Sequence, residues 1–132
     1  MTLTLSTAKE ADSHRIAAIH IAAFGANALL RAQFPTPSAR KALELRIAQK
    51  ALDDIQDPKI TALVIRDQSG EIISFAKWNL PVFKSETYVE SPWTWPQETN
   101  YAYLGEWTEK IECATKKILG GVPCCRKSQG TP

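Results

Sequence analysis

Charge of one sign is scarce in excess: 16 basic residues stand against 14 acidic ones, a net charge of +2. So even a balance argues against a nucleic-acid binder held by bulk electrostatics. Long apolar runs are missing as well. The longest covers residues 16–24 and has His20 inside it, far short of the roughly 20 apolar residues that cross a bilayer. No Lys or Arg precedes Lys9, and the N-terminal stretch lacks an apolar signal core, so a secreted or membrane-borne protein is not expected. Cysteine is sparse: Cys113, Cys124 and Cys125 form an odd count with no Cys-x-x-Cys. That pattern makes a poor disulfide framework and fits a reducing compartment, cytoplasmic or nuclear. The two histidines, His14 and His20, are six positions apart, about 240° around a helix. They cannot serve one metal from a single face, and neither a metal site nor a Cys–His nucleophile pair is expected.

What is present fits one domain. A chain of 132 residues can bury roughly two-thirds of the surface it exposes when unfolded. With 44% apolar and 23% charged residues, the composition is that of an ordinary globular protein.

Residues 3–5 alternate apolar and polar positions and predict a short first strand. Thr7 and Glu10 have the spacing of a capping box, so a helix is expected from there to Phe24. Its inward stripe is Ile16, Ile19 or His20, and Ala23, widened by Ile21 and Phe24, with Gly25 as the stop. His20 on that stripe is expected to be a hydrogen-bonded, partly buried histidine rather than a catalytic base. A short helical stretch over residues 28–34 ends at Pro35. Thr36-Pro37 then supplies an N-cap followed by proline at the first helical position. The helix that follows carries Leu43, Ile47, Ala51 and Ile55 at spacing four, flanked by Leu45 and Leu52. Arg40, Lys41, Arg46 and Lys50 are expected on its outer, solvated face.

Asp57-Pro58 breaks that helix. Residues 60–66 and 71–78, joined by Asp67-Gln68-Ser69-Gly70, predict a hairpin. Residues 79–100 have no period and hold Pro81, Pro92, Pro96, Trp93 and Trp95. A loop of this length tends to be functional or mobile. A last helix is expected over residues 101–119, with Tyr103 or Leu104, Trp107, Ile111, Ala114 and Ile118 along one face and Gly120-Gly121 at its end. Val122-Pro123-Cys124-Cys125 reads as the entry to a further strand, and residues 126–132 read as a polar tail. The order strand, helix, helix, strand, strand, helix predicts the α/β class, specifically an α+β mixed sheet with flanking helices.

Three segments carry a family resemblance. Ile19-His20-Ile21-Ala22-Ala23-Phe24-Gly25, with Leu29-Leu30-Arg31 and Phe34-Pro35-Thr36-Pro37, resembles the opening of the fungal subgroup of Gcn5-related N-acetyltransferases (GNAT). Ser74-Phe75-Ala76-Lys77-Trp78-Asn79-Leu80-Pro81 resembles the third-strand segment of that group. Glu106-Trp107-Thr108-Glu109-Lys110, continuing to Leu119-Gly120-Gly121-Val122-Pro123, is the third match. The resemblance implies that residues 1–125 are the N-terminal half of an incomplete GNAT-like acyl-CoA N-acyltransferase fold, broken off as its fourth strand begins, with residues 126–132 as a tail. In the family a loop of the form Arg/Gln-x-x-Gly-x-Gly/Ala, followed by a helix, holds the pyrophosphate of acetyl-CoA through backbone N–H groups. This sequence has no such loop: Lys127-Ser128-Gln129-Gly130 has the wrong first residue, and the turn at Gly70 also fails the pattern.

The complete family transfers an acetyl group from acetyl-CoA to an amine, so the resemblance implies a small-molecule or peptide amine as partner. The missing loop argues against acetyl-CoA binding and against activity by this chain alone. No catalytic residue of the family maps onto the sequence. The acceptor side of the family's groove maps onto Phe24, Asn27, Leu30 and Trp78. Two other readings stand beside the enzyme one: a non-catalytic binding or regulatory remnant that associates through an exposed sheet edge, and a truncated gene product. A nucleic-acid partner is not expected. The basic stripe Arg40, Lys41, Arg46 and Lys50 has no interleaved aromatics for stacking, and residues 86–112 carry six acids against one base.

Overall fold

The computed structural model describes residues 2–120 and the backbone of residues 126–127. Strand β1 (Thr4–Thr7) is followed by a 3-10 turn at Glu10–Asp12, helix α1 (Ser13–Phe24), helix α2 (Ala28–Gln33) and helix α3 (Pro37–Gln56). The hairpin strands β2 (Ile60–Arg66) and β3 (Ile72–Asn79) come next, then helix α4 (Tyr101–Leu119) and a two-residue strand β4 (Arg126–Lys127). The class is the expected α+β one: a sheet of order β1-β2-β3-β4, antiparallel at each pairing, with helices on its face. Residues 122–125, expected to enter the last strand, lie outside the described residues. The β4 pair instead falls in the stretch read as a polar tail, where Arg126 opposes Asn79 and Lys127 opposes Trp78.

The first helix starts later than its sequence signal. Thr7 is still in the ladder, opposite Leu63, and the Ala8 N–H donates to the Ala62 carbonyl at 2.9 Å. With the backbone extended there, the box expected at Thr7 and Glu10 cannot close. The Asp12 carboxylate takes over, accepting the Lys9 N–H at 2.8 Å and the Arg66 guanidinium at 2.7 Å. Burial raises the Asp12 pKa, and these donors outweigh it, leaving the carboxyl below its ordinary value. At the other end of α1, a Cβ on Gly25 would stand 2.5 Å from the Ile21 carbonyl oxygen, so only glycine fits without a shift.

The next two helices begin as their caps dictate. Asn27 Oδ1 accepts the N–H groups of Leu29 and Leu30 at 2.8 and 3.4 Å, and Thr36 Oγ1 accepts that of Ala39 at 3.0 Å. In the hairpin turn, Asp67 Oδ1 accepts from the Ser69 and Glu71 N–H groups at 2.9 and 3.1 Å, while Gly70 takes φ 85°. A bulge between Ile65 and Arg66 shifts the β2–β3 register, so Arg66 opposes Ile72.

Two apolar clusters hold the layers together. Ile16, Ala51, Val64 and Ile72 join α1, α3 and the sheet, with Phe75 and Ile55 packed against them. Ala17, Leu30, Phe34, Ala39, Leu43, Ile47 and Ala48 join the three helices, with Ile21, Trp93 and Trp95 against them. Adjacent residues Ile16 and Ala17 thus serve different clusters, and α1 is the wedge between them.

Two expectations fail here. Lys50, assigned to the solvated face of α3, is buried, because its ammonium finds carboxylates inside. Along α4, Leu104 is buried, but Tyr103 is exposed and Ile118 is 80% exposed. The helix forms from its local signals: Asn100 Oδ1 accepts the Tyr103 N–H at 3.2 Å, and Gly120 closes the end at φ 56°. Trp107 and Ile111 of its apolar stripe are half-buried and Ala114 is exposed, so only part of the pattern becomes a packed face among the described residues.

Candidate functional site

Residues 80–100 have no helix or strand, yet they follow a defined path. The Leu80 N–H donates to the Lys59 carbonyl at 2.7 Å, and Lys59 Nζ reaches the Pro81 carbonyl at 3.1 Å and Glu86 at 2.5 Å. The Tyr88 hydroxyl donates to the Asp57 carboxylate. Ser91 donates to Asp53 at 3.0 Å, and Arg46 to Thr94 at 3.3 Å. Finally Thr36 and Ser38 donate to Glu98 at 2.8 and 3.0 Å, and the Asn100 N–H to the Gln33 carbonyl at 2.7 Å. As the numbers rise along this segment, those of its partners fall. The segment is a strap laid antiparallel along α3 and fastened by side chains.

Beneath the strap lies a buried ionic cluster. Asp54 Oδ1 accepts from Lys50 Nζ at 2.6 Å and Oδ2 from Lys77 Nζ at 2.7 Å. Lys50 and Asp54 face the same way because they are one helical turn apart; Lys77 arrives from β3, on the face that carries Phe75. Glu90 of the strap adds a second carboxylate, 3.1 Å from Lys50 Nζ. The Trp93 ring lies 5.9 Å from each ammonium and stacks on Trp95 at 5.2 Å. Burial pulls the Lys50 pKa down, but the hydrogen bonds and charges of Asp54, and then Glu90, overcome it and hold the pKa above the ordinary lysine value.

His20 borders this cluster. It is 4% exposed, its ring lies 5.2 Å from that of Phe24 and 6.4 Å from that of Phe75, and its Nε2 has no hydrogen-bond partner among the described residues. Burial first, and then the charge of Lys77, push its pKa down to about 4. The expected hydrogen-bonded histidine thus has an unpaired Nε2, with the rings of Phe24 and Phe75 packed beside it. Gln33, also fully buried, has neither amide atom paired among the described residues.

Of the four residues singled out from the sequence, three adjoin one another at the α1–α2 turn, where the Asn27 N–H donates to the Phe24 carbonyl at 2.9 Å and Asn27 Oδ1 accepts the Leu30 N–H at 3.4 Å. Asn27 is occupied in capping α2. Leu30 is buried in the helical cluster. Phe24 is 50% exposed beside His20. Trp78, 42% exposed, opposes Thr61, while its neighbour Lys77 opposes buried Ala62 on the helix side. Alternation along the strand thus turns Trp78 to the opposite face of the sheet. Asp54, Lys77, Glu90 and Trp93 were missed. One signal was available: Lys50 and Asp54 continue the stripe of Leu43 and Ile47 at helical spacing, which puts an i, i+4 ion pair inward.

The pyrophosphate of acetyl-CoA needs free N–H groups at a helix start. Side chains of the chain itself cap three of the four starts, Asn27 at α2, Thr36 at α3 and Asn100 at α4, whereas Asp12 at the start of α1 makes no capping bond there and accepts the Lys9 N–H instead. Asp12 and Glu98, which accepts from Thr36 and Ser38, each place a carboxylate beside a helix start, and a carboxylate repels phosphate. What the arrangement can do is hold a carboxylate between ammonium groups under an aromatic ring. Among the described residues no group of three or more His, Cys, Asp or Glu side chains could hold a metal, and no helix is long and apolar enough to cross a membrane.

No family model matches the sequence, and no curated protein matches it. Among solved structures, the chain is similar to one described as a crystal structure of histone acetyltransferase HPA2 and related acetyltransferase from Corynebacterium glutamicum, at 18% identity and a TM-score of 0.45, over 88% of this chain and 72% of that one.

Proposed function

We propose that the chain is a GNAT-like N-acetyltransferase domain whose described residues bind a partner and do not by themselves transfer an acetyl group. The observation that carries this reading is the element order. The resemblance implies a strand, two helices, a hairpin and an inserted helix in that order; the chain follows this order with one helix more, the short α2, before the antiparallel hairpin. The Ser74–Pro81 match spans β3 and the start of the strap, and the Glu106–Lys110 match lies on α4. Its cofactor in the complete family is acetyl-CoA, and the missing pyrophosphate loop argues against binding of that ligand by this chain. The partner class is a small-molecule or peptide amine, with exposed Phe24 and Trp78 the better placed of the four acceptor-side residues. The proposed compartment is cytoplasmic or nuclear.

Thermal unfolding followed by tryptophan fluorescence, with and without acetyl-CoA, tests this reading. A ligand at about a hundred times its dissociation constant adds roughly 2.7 kcal/mol, or several degrees at this size. The expected result is an unchanged midpoint; a rise of several degrees would replace the binding reading with an enzymatic one.

A second reading rests on the sheet edge. The short β4 opposes Trp78 and Asn79, which leaves the outer edge of residues 72–77 without a ladder partner among the described residues. An unpaired edge is a template for another copy. Sedimentation at rising concentration should then show a dimer, and a monomer throughout would remove this reading.

A further inference from the structure

Asp54 is a single carboxylate serving two ammonium groups. Both of its oxygens are committed, one to Lys50 and one to Lys77, at 2.6 and 2.7 Å. That leaves one positive charge in excess at a place shielded from water, where an uncompensated charge is costly. The cluster therefore requires a second anion, and Glu90 supplies it at 3.1 Å from Lys50 Nζ.

Glu90 is a replaceable occupant. Its side chain is 35% exposed, whereas those of Lys50 and Asp54 are 3% and 1% exposed. It comes from the strap, so withdrawing it breaks no helix or sheet ladder. Neighbouring carboxylates are already taken: Asp53 by Ser91 and Gln49 at 3.0 Å each, and Asp57 by the Tyr88 hydroxyl. His20 adds no charge at neutral pH. Trp93, stacked on Trp95 with ring planes 10° apart, forms a stiff wall over both ammonium groups.

We propose that the Lys50 ammonium, flanked by Lys77 and the ring of Trp93, forms a carboxylate-binding seat that Glu90 fills from within the chain, and that a carboxylate ligand enters by displacing the Glu90 side chain while Trp93 stays in place. The ligand class is a carboxylate on a flexible stem, from a small organic acid or from an acidic side chain of a peptide. The seat is independent of any reaction with acetyl-CoA.

The test uses the full chain carrying Glu90→Gln, which keeps the volume and removes the charge. Tryptophan emission and the unfolding midpoint are followed while sodium acetate is titrated against sodium chloride at matched ionic strength. In parallel, the blocked peptide Ac-Gly-Glu-Gly-NH2 is titrated against Ac-Gly-Gln-Gly-NH2. A saturable response to acetate or to the Glu peptide, absent with chloride and with the Gln peptide, supports the seat; which of the two binds more tightly identifies the source. The unsubstituted chain should bind at least about tenfold more weakly, because Glu90 competes at the high effective concentration of a tethered group. Adding Lys77→Gln to the Glu90→Gln chain should weaken the response by about tenfold again. Equal responses to acetate and chloride, equal affinities with and without Glu90, or a folded Glu90→Gln chain with no response would each overturn the proposal.

Discussion

Asp54 Oδ2 and Lys77 Nζ meet at 2.7 Å between α3 and β3, and both side chains are nearly closed to water. The bond crosses from helix layer to sheet layer, so it fixes how the two sit together. Removing the carboxylate would leave two buried ammonium groups sharing the half-exposed Glu90. Asp54→Ala should therefore lower stability by about 3–5 kcal/mol, a large part of the total for a domain of this size. Urea unfolding measures the loss. A loss under about 1 kcal/mol would mean that water reaches the lysines and that the cluster is a surface feature.

This pair also shows what could be read ahead of the fold. Local chemistry was legible: Thr36-Pro37 starts α3, Asp67 to Gly70 turns the hairpin, and Gly120 ends α4, each acting through backbone geometry within a few residues. Lys50 was misplaced because charge type suggests the outer face; its near partner Asp54 sits one turn on, but the groups that complete the cluster, Glu90 beside Lys50 and Lys77 beside Asp54, lie far along the chain. Periodicity shows that a stripe exists and not what meets it. Ile118 follows its stripe faithfully and is still exposed. The strap has no period at all, so its path along α3 emerges from pairs such as Ser91 with Asp53 and Thr36 with Glu98.

The orphaned His20 sets an acid limit on stability. Its folded pKa is about 4, below the ordinary 6.5, because burial and the facing charge of Lys77 disfavour the imidazolium. Between those two values the unfolded chain binds a proton that the folded chain refuses. Stability is therefore complete above pH 6.5 and falls as the pH drops, by about 2 kcal/mol at pH 5. Asp12 does not offset this trend, since its lowered pKa acts only below about pH 4. The measurement is urea unfolding at pH 7.5 and 5. His20→Phe, which removes the unpaired nitrogen, should flatten this difference; an unchanged slope would assign it to other groups.

Asn27 offers a direct test between a cap and a contact for an amine. Its Oδ1 is spent on the N–H groups of Leu29 and Leu30. Asn27→Ala should cost about 1 kcal/mol, and Asn27→Asp, which caps equally well, should cost little. If both substitutions leave stability intact, the cap is not what holds α2, and the residue is free for another role.

Phe34 and Trp78 should respond in opposite ways to truncation, although both are large aromatics. Phe34 is fully buried, 5.9 Å from the Trp95 ring, so Phe34→Ala removes a core anchor and should cost about 3–5 kcal/mol. Trp78 is half exposed on the other face of the sheet, and Trp78→Ala should cost less than half as much. Comparable losses in chemical denaturation would mean that a partner or a further part of the chain covers the Trp78 face.

Replacing the ionic cluster as a whole separates stability from binding. Buried ion pairs exchanged for apolar side chains of similar volume often leave a protein as stable, or more stable by about 1–4 kcal/mol, because the desolvation cost of the charges goes with them. Lys50→Met, Asp54→Leu and Lys77→Met together should therefore give a folded chain whose urea midpoint is unchanged or higher, in contrast with Asp54→Ala alone. The strap should loosen in the same chain, because Glu90 then has no ammonium to meet, and amide hydrogen exchange across residues 80–100 should quicken while that of β2 does not. A triple variant much less stable than the original would show that the two lysines and Asp54 are held for the fold itself. A stable variant with a loosened strap would show that their charges are held for what they bind.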